Sequence, residues 1–447
     1  MDIKDLIRKG RYITRIDGVY YDVTDFIQYH PGGEVIKGVC NGNDGTAMFK
    51  SSHFNLPNIK DFKRIVEIGK EPHDLPKYEF NDDSESFYNS LKTDIAHYFR
   101  THNIDYTVPT LSSRIIFILN IILFFMCLYG SYIQGYLICS ILMGILSWNF
   151  AGTLVHDHGA HRVNVKKNNV IGNLIMTCLN SITFPGALET HFIYSHYGHH
   201  SSIHDKELDS DNHLIYPLMR WSPHWNKLWY HRYQHLYWPI AYSMYLYFYF
   251  SKAFSPDKRI NWWKKHNHSH RAKFNYKFIF LLFILTLHVV IPVYNFGLYG
   301  LLNVMIFIAI YSCGGLFFAT VNHLISDSPL DNNLEIKKSS SQTMIFVGNN
   351  RMVITNEDHK DRNEWAYNVV ATSPDYLIND FFATYISGGF NLHGLHHLLP
   401  SIHPSHLSKV YHIYQAKCRQ HGYPLIVINS WRELFRRYTY YLYRLGN

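Results

Sequence analysis

Several features that define common protein classes are scarce or missing in this sequence. Its six cysteines form no Cys-x-x-Cys pair and no regular ladder of spacings, which argues against a disulfide framework and a zinc-thiolate site. Charged residues make up only 17% of the chain, and the lysines and arginines are scattered rather than gathered into a nucleic-acid-binding stripe. No His-Glu-x-x-His motif is present, which removes the commonest zinc-protease interpretation.

The amino terminus lacks the apolar core of a signal peptide, because charged residues run throughout MDIKDLIRKGRYITRIDG. We therefore expect the first domain to stay in the cytosol. The cysteine pattern agrees with a reducing compartment. The formal net charge of +8 is mild, and we interpret it as basicity that faces a membrane surface.

What the sequence has in excess is histidine, tyrosine and apolar runs. It contains 30 histidines and 35 tyrosines. The mean hydropathy of -0.15 would suit a soluble protein, but an average can conceal membrane spans that lie between polar segments. Four apolar stretches, 114–133, 135–155, 277–294 and 300–321, approach the roughly 20 residues that a helix needs to cross a bilayer. We therefore expect four spans in two hairpins.

The charges beside these stretches predict their orientation. The short connectors at Gln134 and at 295–299 carry no lysine or arginine, whereas Arg162, Lys166 and Lys167 follow the second stretch. By the positive-inside rule, the long polar segments face the cytosol. Two further aromatic stretches, 171–188 and 236–250, are shorter or contain proline. We interpret them as interfacial helices, with a fifth and sixth span as the alternative.

A His-Pro-Gly-Gly motif at 30–33 predicts a metal site in the first segment. β-like alternation precedes it and a second histidine, His53, follows it. The glycines let the chain pass close to a flat ring, because they adopt backbone conformations denied to other residues. The strand-rich lead-in, the HPGG turn, the NDGTAMF stretch and His53 resemble the cytochrome b5 family over about residues 5–75.

The resemblance implies that His30 and His53 bind one haem iron from opposite faces, with Phe26, Ile36 and Phe49 as wall residues. When both axial positions are filled, oxygen has no site on the iron. Such a haem transfers electrons and does not itself activate oxygen.

Three further histidine clusters lie on the predicted cytosolic side: HDHGAH at 156–161, HYGHH at 196–200 and HGLHH at 393–397. Histidines three or four residues apart share one face of a helix, so each cluster can direct two or three imidazoles into one pocket. Eight or nine nitrogens are too many for a single ion and predict two metal ions. Imidazole suits iron, zinc and copper, and an adjacent electron donor favours iron because it is redox-active.

The order of these clusters, and their positions after the second and fourth spans, resemble the membrane fatty acid desaturases over about residues 114–430. The fused haem domain and the sequence around the second and third clusters more narrowly resemble the front-end desaturases. These place a cis double bond between the carboxyl group and an existing double bond. The resemblance implies a di-iron site with these ligands: His156, His161, His196, His199, His200, His323, His393, His396 and His397.

Two positions depart from the front-end pattern. That pattern begins the third cluster with glutamine, whereas this sequence has His393, the residue type that other membrane desaturases use there. The first cluster is one residue longer than the usual His-Asp-x-x-His, so His158 is an alternative ligand to His156. We prefer His156, because its spacing to His161 occurs elsewhere in the superfamily. Three aspartates are candidates for a further ligand or for orienting the histidines: Asp157, Asp209 and Asp211.

The expected fold is a multi-pass α-helical integral membrane protein, with four spans and a histidine-box di-metal domain, behind an α+β cytochrome b5-like haem domain. The expected boundaries are 1–75 for the haem domain, 76–113 for a linker with an amphipathic helix, and 114–447 for the desaturase domain.

The resemblance further implies an oxygen-dependent desaturase that carries haem b and two non-haem iron ions. An acyl chain bound to CoA or a phospholipid would be the substrate, and NADH-cytochrome b5 reductase the electron source. No nucleic acid partner is expected. The expected location is the endoplasmic reticulum membrane, with the haem domain and the histidine clusters in the cytosol. A sphingoid-base desaturase and a lipid hydroxylase use the same kind of centre and remain alternatives.

Overall fold

The structure, a computed structural model, describes these residues: 3–30, 36–37, 40, 42–69, 78–150, 152–153, 156–157, 161, 175, 179, 182, 196–204, 209, 211, 214–222, 225–246, 282–325, 342–346, 352–356 and 364–447.

The first described segment is a small α+β unit, as the cytochrome b5 resemblance predicts. Its elements are α1 (Ile3–Arg8), β1 (Ile13–Ile16), β2 (Val19–Asp22), α2 (Thr46–Ser52) and β3 (Val66–Gly69). Both strand pairs, β1 with β2 and β2 with β3, are antiparallel. Asp17 and Gly18 connect β1 to β2, and both have positive φ. Positive φ at both turn residues matches the twist of a two-residue hairpin, which explains the Asp-Gly sequence at this place.

Most of the remaining described chain is helical. The first group of helices consists of α3 (Phe87–Thr101), α4 (Leu111–Tyr132), α5 (Leu137–Phe150), α6 (Gln234–Ser243), α7 (Ile291–Phe296) and α8 (Leu298–Thr320). The second group consists of α9 (Trp365–Thr372), α10 (Phe381–Ile386), α11 (His393–Leu398), α12 (Pro404–His421) and α13 (Trp431–Gly446). Two short sheets complete the list, an antiparallel pair of β4 (Gln342–Phe346) with β5 (Met352–Asn356) and a parallel pair of β6 (Asp375–Tyr376) with β7 (Val427–Ile428).

Within the described residues, two helices are long and apolar enough to cross a bilayer, α4 and α8. The shorter apolar helices Leu137–Phe150 and Leu282–Phe296 lie where the other two spans are predicted. Helix α4 exposes much of its apolar surface; Leu111, Ile118 and Met126 are 73%, 56% and 65% exposed. An apolar surface of this extent is unusual on a soluble monomer and typical of a lipid-facing helix.

Helices α5 and α8 pack closely because Gly144 has no side chain. A Cβ atom at this position would lie 2.7 Å from the Cβ of Ile310 and 3.0 Å from the carbonyl oxygen of Phe307. Small residues at helix contacts are a common means of close packing in membranes. The contact brings together the ends of both helices, after which His156 and His323 follow in the chain.

An apolar core packs against α11, the helix that carries the third histidine cluster. It joins side chains of α3, α9, α11 and α12, including Leu91, Val369, Leu395 and Val410, all at most 1% exposed. The segment predicted as a linker with an amphipathic helix therefore contributes α3 to the core that supports the histidines.

Candidate metal centres

His30 and His53 face one another in the α+β unit. Their ring centroids are 6.1 Å apart and the rings are nearly perpendicular, at 78°. The Nδ1 atom of His53 lies 2.7 Å from the carbonyl oxygen of Phe49, a contact that leaves Nε2 as the nitrogen available to a metal. Burial lowers the pKa of His53, which favours the neutral imidazole that a haem iron binds. The pair thus fits two axial ligands on one iron.

Two of the predicted wall residues border this pair. Between ring centroids, Phe26 lies 5.9 Å from His30, and Phe49 lies 5.0 Å from His53. Ile36 packs against the small core of the α+β unit. The Pro-Gly-Gly part of the motif, at 31–33, lies outside the described residues.

Nine of the predicted ligands form two neighbouring groups. We call the first the five-histidine cluster, and its members come from all three sequence clusters: His156, His161, His196, His200 and His396. We call the second the four-histidine cluster, and it contains His199, His323, His393 and His397. In each group, one nitrogen from every member lies within 4.8 Å of all the others.

Helix geometry explains part of this division. His196 and His200, like His393 and His397, are four residues apart and share one helix face. His200 Nε2 lies 2.9 Å from His196 Nε2, and His397 Nε2 lies 3.0 Å from His393 Nε2. The third histidine of these two sequence clusters belongs to the other group in each case: His199 to the four-histidine cluster and His396 to the five-histidine cluster.

The nitrogen separations fit bound metal ions. His161 Nε2 lies 2.9 Å from His196 Nε2, and His323 Nε2 lies 2.8 Å from His393 Nε2. Two nitrogens that bind one ion at about 2.1 Å, at right angles, are about 3 Å apart. Among the described residues, the buried Nε2 atoms of His156 and His396 have no hydrogen-bond partner. A metal ion would satisfy both.

Electrostatics keeps most of these rings neutral. Burial, and then the charge of His199, lower the pKa of His396 to about 3. Burial and then several neighbouring imidazoles hold the pKa values of six further rings well below the usual range: His156, His161, His196, His200, His393 and His397. Neutral imidazole is the form that binds metal. His199 differs: burial opposes its protonation, but the nearby carboxylates of Asp209 and Asp211 raise its pKa to about 9.

Hydrogen bonds at Nδ1 orient three of the rings. His156 Nδ1 lies 2.7 Å from Asp157 Oδ1, and His199 Nδ1 lies 3.1 Å from Asp209 Oδ1. His323 Nδ1 lies 3.0 Å from the carbonyl oxygen of Thr372. A partner at Nδ1 selects the tautomer whose Nε2 is free to bind metal. Asp211 lies farther out, 3.5 Å from His199 Nδ1, and His158 lies outside the described residues.

The sequence prediction missed Asp375, which holds the start of α11. Its Oδ1 accepts a hydrogen bond from the backbone N–H of Gly394 at 2.9 Å, and its Oδ2 accepts one from the Tyr411 hydroxyl at 2.8 Å. Burial raises the pKa of Asp375 to about 7. A single aspartate far from the histidines in the sequence carries no signal of this role. Thr372 acts through its backbone, so its side chain gave no signal either.

Residues 131–429 match the fatty acid desaturase family. The chain belongs to this family. Residues 2–71 match the cytochrome b5-like haem/steroid binding domain. This desaturase is 28% identical to "Probable Delta(5) fatty acid desaturase C" of Dictyostelium discoideum, over 99% of this chain and 93% of the relative. It is 24% identical to an "Acyl-lipid (8-3)-desaturase" of Physcomitrium patens, over 96% and 87% of the two chains. No solved structure matches the chain at a significant level.

The comparisons confirm the predicted family and its fused haem domain. This desaturase is an oxidoreductase of lipid metabolism. Its first domain is of a haem-binding type. The desaturase family to which the chain belongs uses iron. The two histidine clusters offer the donor set that iron accepts.

Proposed function

We propose that this desaturase is a front-end enzyme, which forms a cis double bond on the carboxyl side of an existing double bond of an acyl chain. The observation that carries the proposal is the division of nine imidazoles, eight of them buried and that of His161 half-buried, into two adjacent clusters, in a chain that also holds the His30–His53 pair. The relatives named Delta(5) and (8-3) desaturases support the front-end position of the new bond.

We assign one iron ion to each cluster, and haem b to His30 and His53. Bound iron would supply the oxygen chemistry: O2 takes up two hydrogens from adjacent methylenes, two electrons and two protons, which gives one C=C bond and two water molecules. Asp157, Asp209 and the Thr372 carbonyl keep the Nε2 atoms of their histidines directed inward. The buried setting of the histidines excludes bulk water.

Phe390 gives the reaction site an apolar wall. Its ring centroid lies 4.6 Å from that of His156, in the five-histidine cluster, and 5.6 Å from that of His393, in the four-histidine cluster. An acyl chain that passes over this ring would bring its methylenes to both metals. A charged or polar group at this place would lose its hydration without gaining a partner.

We propose four membrane spans, two in the α4–α5 hairpin and two in residues 282–320, within a desaturase domain of 114–447. The haem domain then covers 1–75, and 76–113 connects them. The exposed apolar surface of α4 and the positive charges after the second span support this arrangement. It places the haem and both clusters in the cytosol at the endoplasmic reticulum, where NADH-cytochrome b5 reductase reaches the haem.

The test is mass spectrometry of acyl chains and sphingoid bases from a eukaryotic host that expresses the protein and is fed unsaturated fatty acids. We expect an acyl product lighter by two hydrogens, with the new bond on the carboxyl side, and none in a His397→Ala control. A product heavier by one oxygen would instead indicate a lipid hydroxylase. A desaturated long-chain base would indicate a sphingoid-base desaturase.

A further inference from the structure

Helix α3 contacts the haem domain at the carboxyl end of α2, which His53, the proposed haem ligand, directly follows. The ammonium of Lys92 donates hydrogen bonds to the carbonyl oxygens of Lys50, at 3.0 Å, and of His53, at 2.6 Å. These carbonyls lie at the end of α2, where a helix has no internal partners for them. The buried Lys92 therefore attaches the end of α2 to α3.

The hydroxyl of Tyr88, also on α3, lies between two helix ends. It is 3.1 Å from the carbonyl oxygen of Lys50 and 3.2 Å from that of Leu398, so its proton is shared between them. Lys50 precedes His53 by three residues, and Leu398 directly follows His397 in α11. One buried hydroxyl thus connects the helix that leads to a haem ligand with the helix that carries the third histidine cluster.

The ring of Tyr88 provides a second connection. Its centroid lies 5.5 Å from that of Trp365, in an edge-to-face contact. The indole N–H of Trp365 donates to the carbonyl oxygen of His200 at 3.4 Å. The hydroxyl of Tyr88 therefore contacts the residue next to His397, a member of the four-histidine cluster. Its ring contacts Trp365, which is hydrogen-bonded to His200 of the five-histidine cluster.

The surrounding contacts hold the haem domain in this position. Ala47 of α2 is 5% exposed and packs into the apolar core of α3, α9, α11 and α12. The Lys50 ammonium lies 2.8 Å from Asp82 Oδ1, beyond the haem domain, and 4.8 Å from the centroid of the Phe80 ring. The interface combines apolar burial, an ion pair and buried hydrogen bonds.

We propose that Tyr88 is the positioning residue for electron transfer across this interface within one molecule, because its hydroxyl and its ring connect the end of α2 to both histidine clusters. The inference rests on the proposed function. In each transfer one electron would leave a ferrous haem held by His30 and His53, which would become ferric, and would reduce non-haem iron held by the histidine clusters by one electron. Two such transfers accompany each double bond. A haem domain that swings freely is not required.

The test measures oxidation of ferrous haem by stopped-flow absorbance, in the full chain loaded with haem and iron in lipid nanodiscs. The reduced protein is mixed with oxygenated buffer and an unsaturated acyl lipid, and the rate in His397→Ala is subtracted as the metal-independent background. We expect Tyr88→Phe to slow the metal-dependent phase about tenfold, which corresponds to about 1.4 kcal/mol for one lost buried hydrogen bond. The wild-type rate should not depend on protein concentration.

Tyr98→Phe is the matched control, because it makes the same chemical change on the same helix at a half-buried position. It should retain the wild-type rate. The haem spectrum, the haem midpoint potential and the non-haem iron content of Tyr88→Phe should equal those of the wild type. Equal rates in the two variants would overturn the proposal, as would a rate that rises with protein concentration. A loss of haem or iron in Tyr88→Phe would show that Tyr88 only maintains the structure of the metal sites, and would also overturn the proposal.

The outcome is separable from that of the proposed function. Metal-dependent haem oxidation reports electron transfer even where no desaturated acyl chain accumulates, whereas acyl mass spectrometry of the wild type reports desaturation. A Tyr88-sensitive haem oxidation without product would reject the proposed substrate or reaction and leave the electron route standing.

Discussion

The imidazole rings of His200 and His397 stack face to face, with 4.0 Å between their centroids and 18° between their planes. His200 belongs to the five-histidine cluster and His397 to the four-histidine cluster. The two clusters therefore share a wall of two parallel rings, and a change in one ring removes support from the other.

We expect His397→Ala to lower the iron content of both clusters. The substitution removes one ligand directly and leaves an empty space against His200, which can then leave its position. The ratio of non-haem iron to haem in the purified protein measures the loss. His412→Ala, at an exposed position of α12, should keep the wild-type ratio. A loss restricted to half of the non-haem iron would show that the clusters are independent.

His393→Gln should retain non-haem iron and product formation. The front-end pattern has glutamine at this position, and an amide oxygen can replace the imidazole that lies 2.8 Å from His323 and 3.0 Å from His397. His393→Leu offers no donor and should lower product formation at least about tenfold. Acyl profiling of both variants tests this. Equal inactivity of the two would mean that this chain needs imidazole at 393.

Asp209→Asn should weaken iron binding about ten- to hundredfold, because Asp209 orients His199 and also accepts the backbone N–H of His204 at 2.6 Å. Competition with a chelator measures the affinity. Asp211→Asn should have a smaller effect, since Asp211 lies farther from His199 and is partly exposed. Similar affinities for both variants would remove the special role of Asp209.

His53→Ala should abolish haem absorbance and leave the non-haem iron content unchanged. In the proposed assignment the substitution removes one axial ligand, while the nine histidines of the two clusters lie on other elements. Product formation should fall to background, because the electrons no longer arrive. His97→Ala, on the exposed face of α3, is the control. Normal haem absorbance in His53→Ala would reject His53 as a ligand.

His403 should make the stability of the protein sensitive to acid. Burial, followed by the charges of His406 and Arg114, lowers its pKa to about 3. The unfolded chain takes up a proton below about pH 6.5, whereas folded His403 does not, so the free energy of unfolding falls by about 1.4 kcal/mol per pH unit in that window. The contribution is fully present above the unfolded pKa.

The measurement is thermal unfolding of detergent-solubilised protein between about pH 7.5 and about pH 5. His403 is the N-cap of α12, and its Nδ1 accepts a hydrogen bond from the backbone N–H of Ser405. His403→Asn keeps a side chain that caps helices well and removes the titrating group. This variant should lose less stability on acidification than the wild type. Parallel pH dependences would indicate that other histidines cause the effect.

The local parts of the site were predictable because they depend on short-range rules. The His30 and His53 pair lies in an α+β unit with the expected strands. The pairing of His196 with His200, and of His393 with His397, follows from helix periodicity. His323 joins the four-histidine cluster, at 3.1 Å from His199 and 2.8 Å from His393.

The long-range parts were not predictable. Asp375 lies 18 residues before His393 in the chain and contacts the backbone next to it. Tyr88 and Leu398 are 310 residues apart. Such contacts depend on how distant helices pack against one another. The periodicity of a single sequence does not indicate which helices will be neighbours.

Three parts of the chemistry expected for this protein could be predicted from its sequence: a histidine pair for a haem, three clusters of imidazoles for metal and apolar stretches of spanning length. These follow from residue type and spacing, which act within a few turns of the chain. The packing of the helices sets the rest: which imidazoles share a cluster, which carbonyls and carboxylates orient them, and how α3 joins the α+β unit to the histidines. The reason is that a metal site needs several nitrogens within a few ångströms of one point. Only the packing of helices distant in the sequence brings them there.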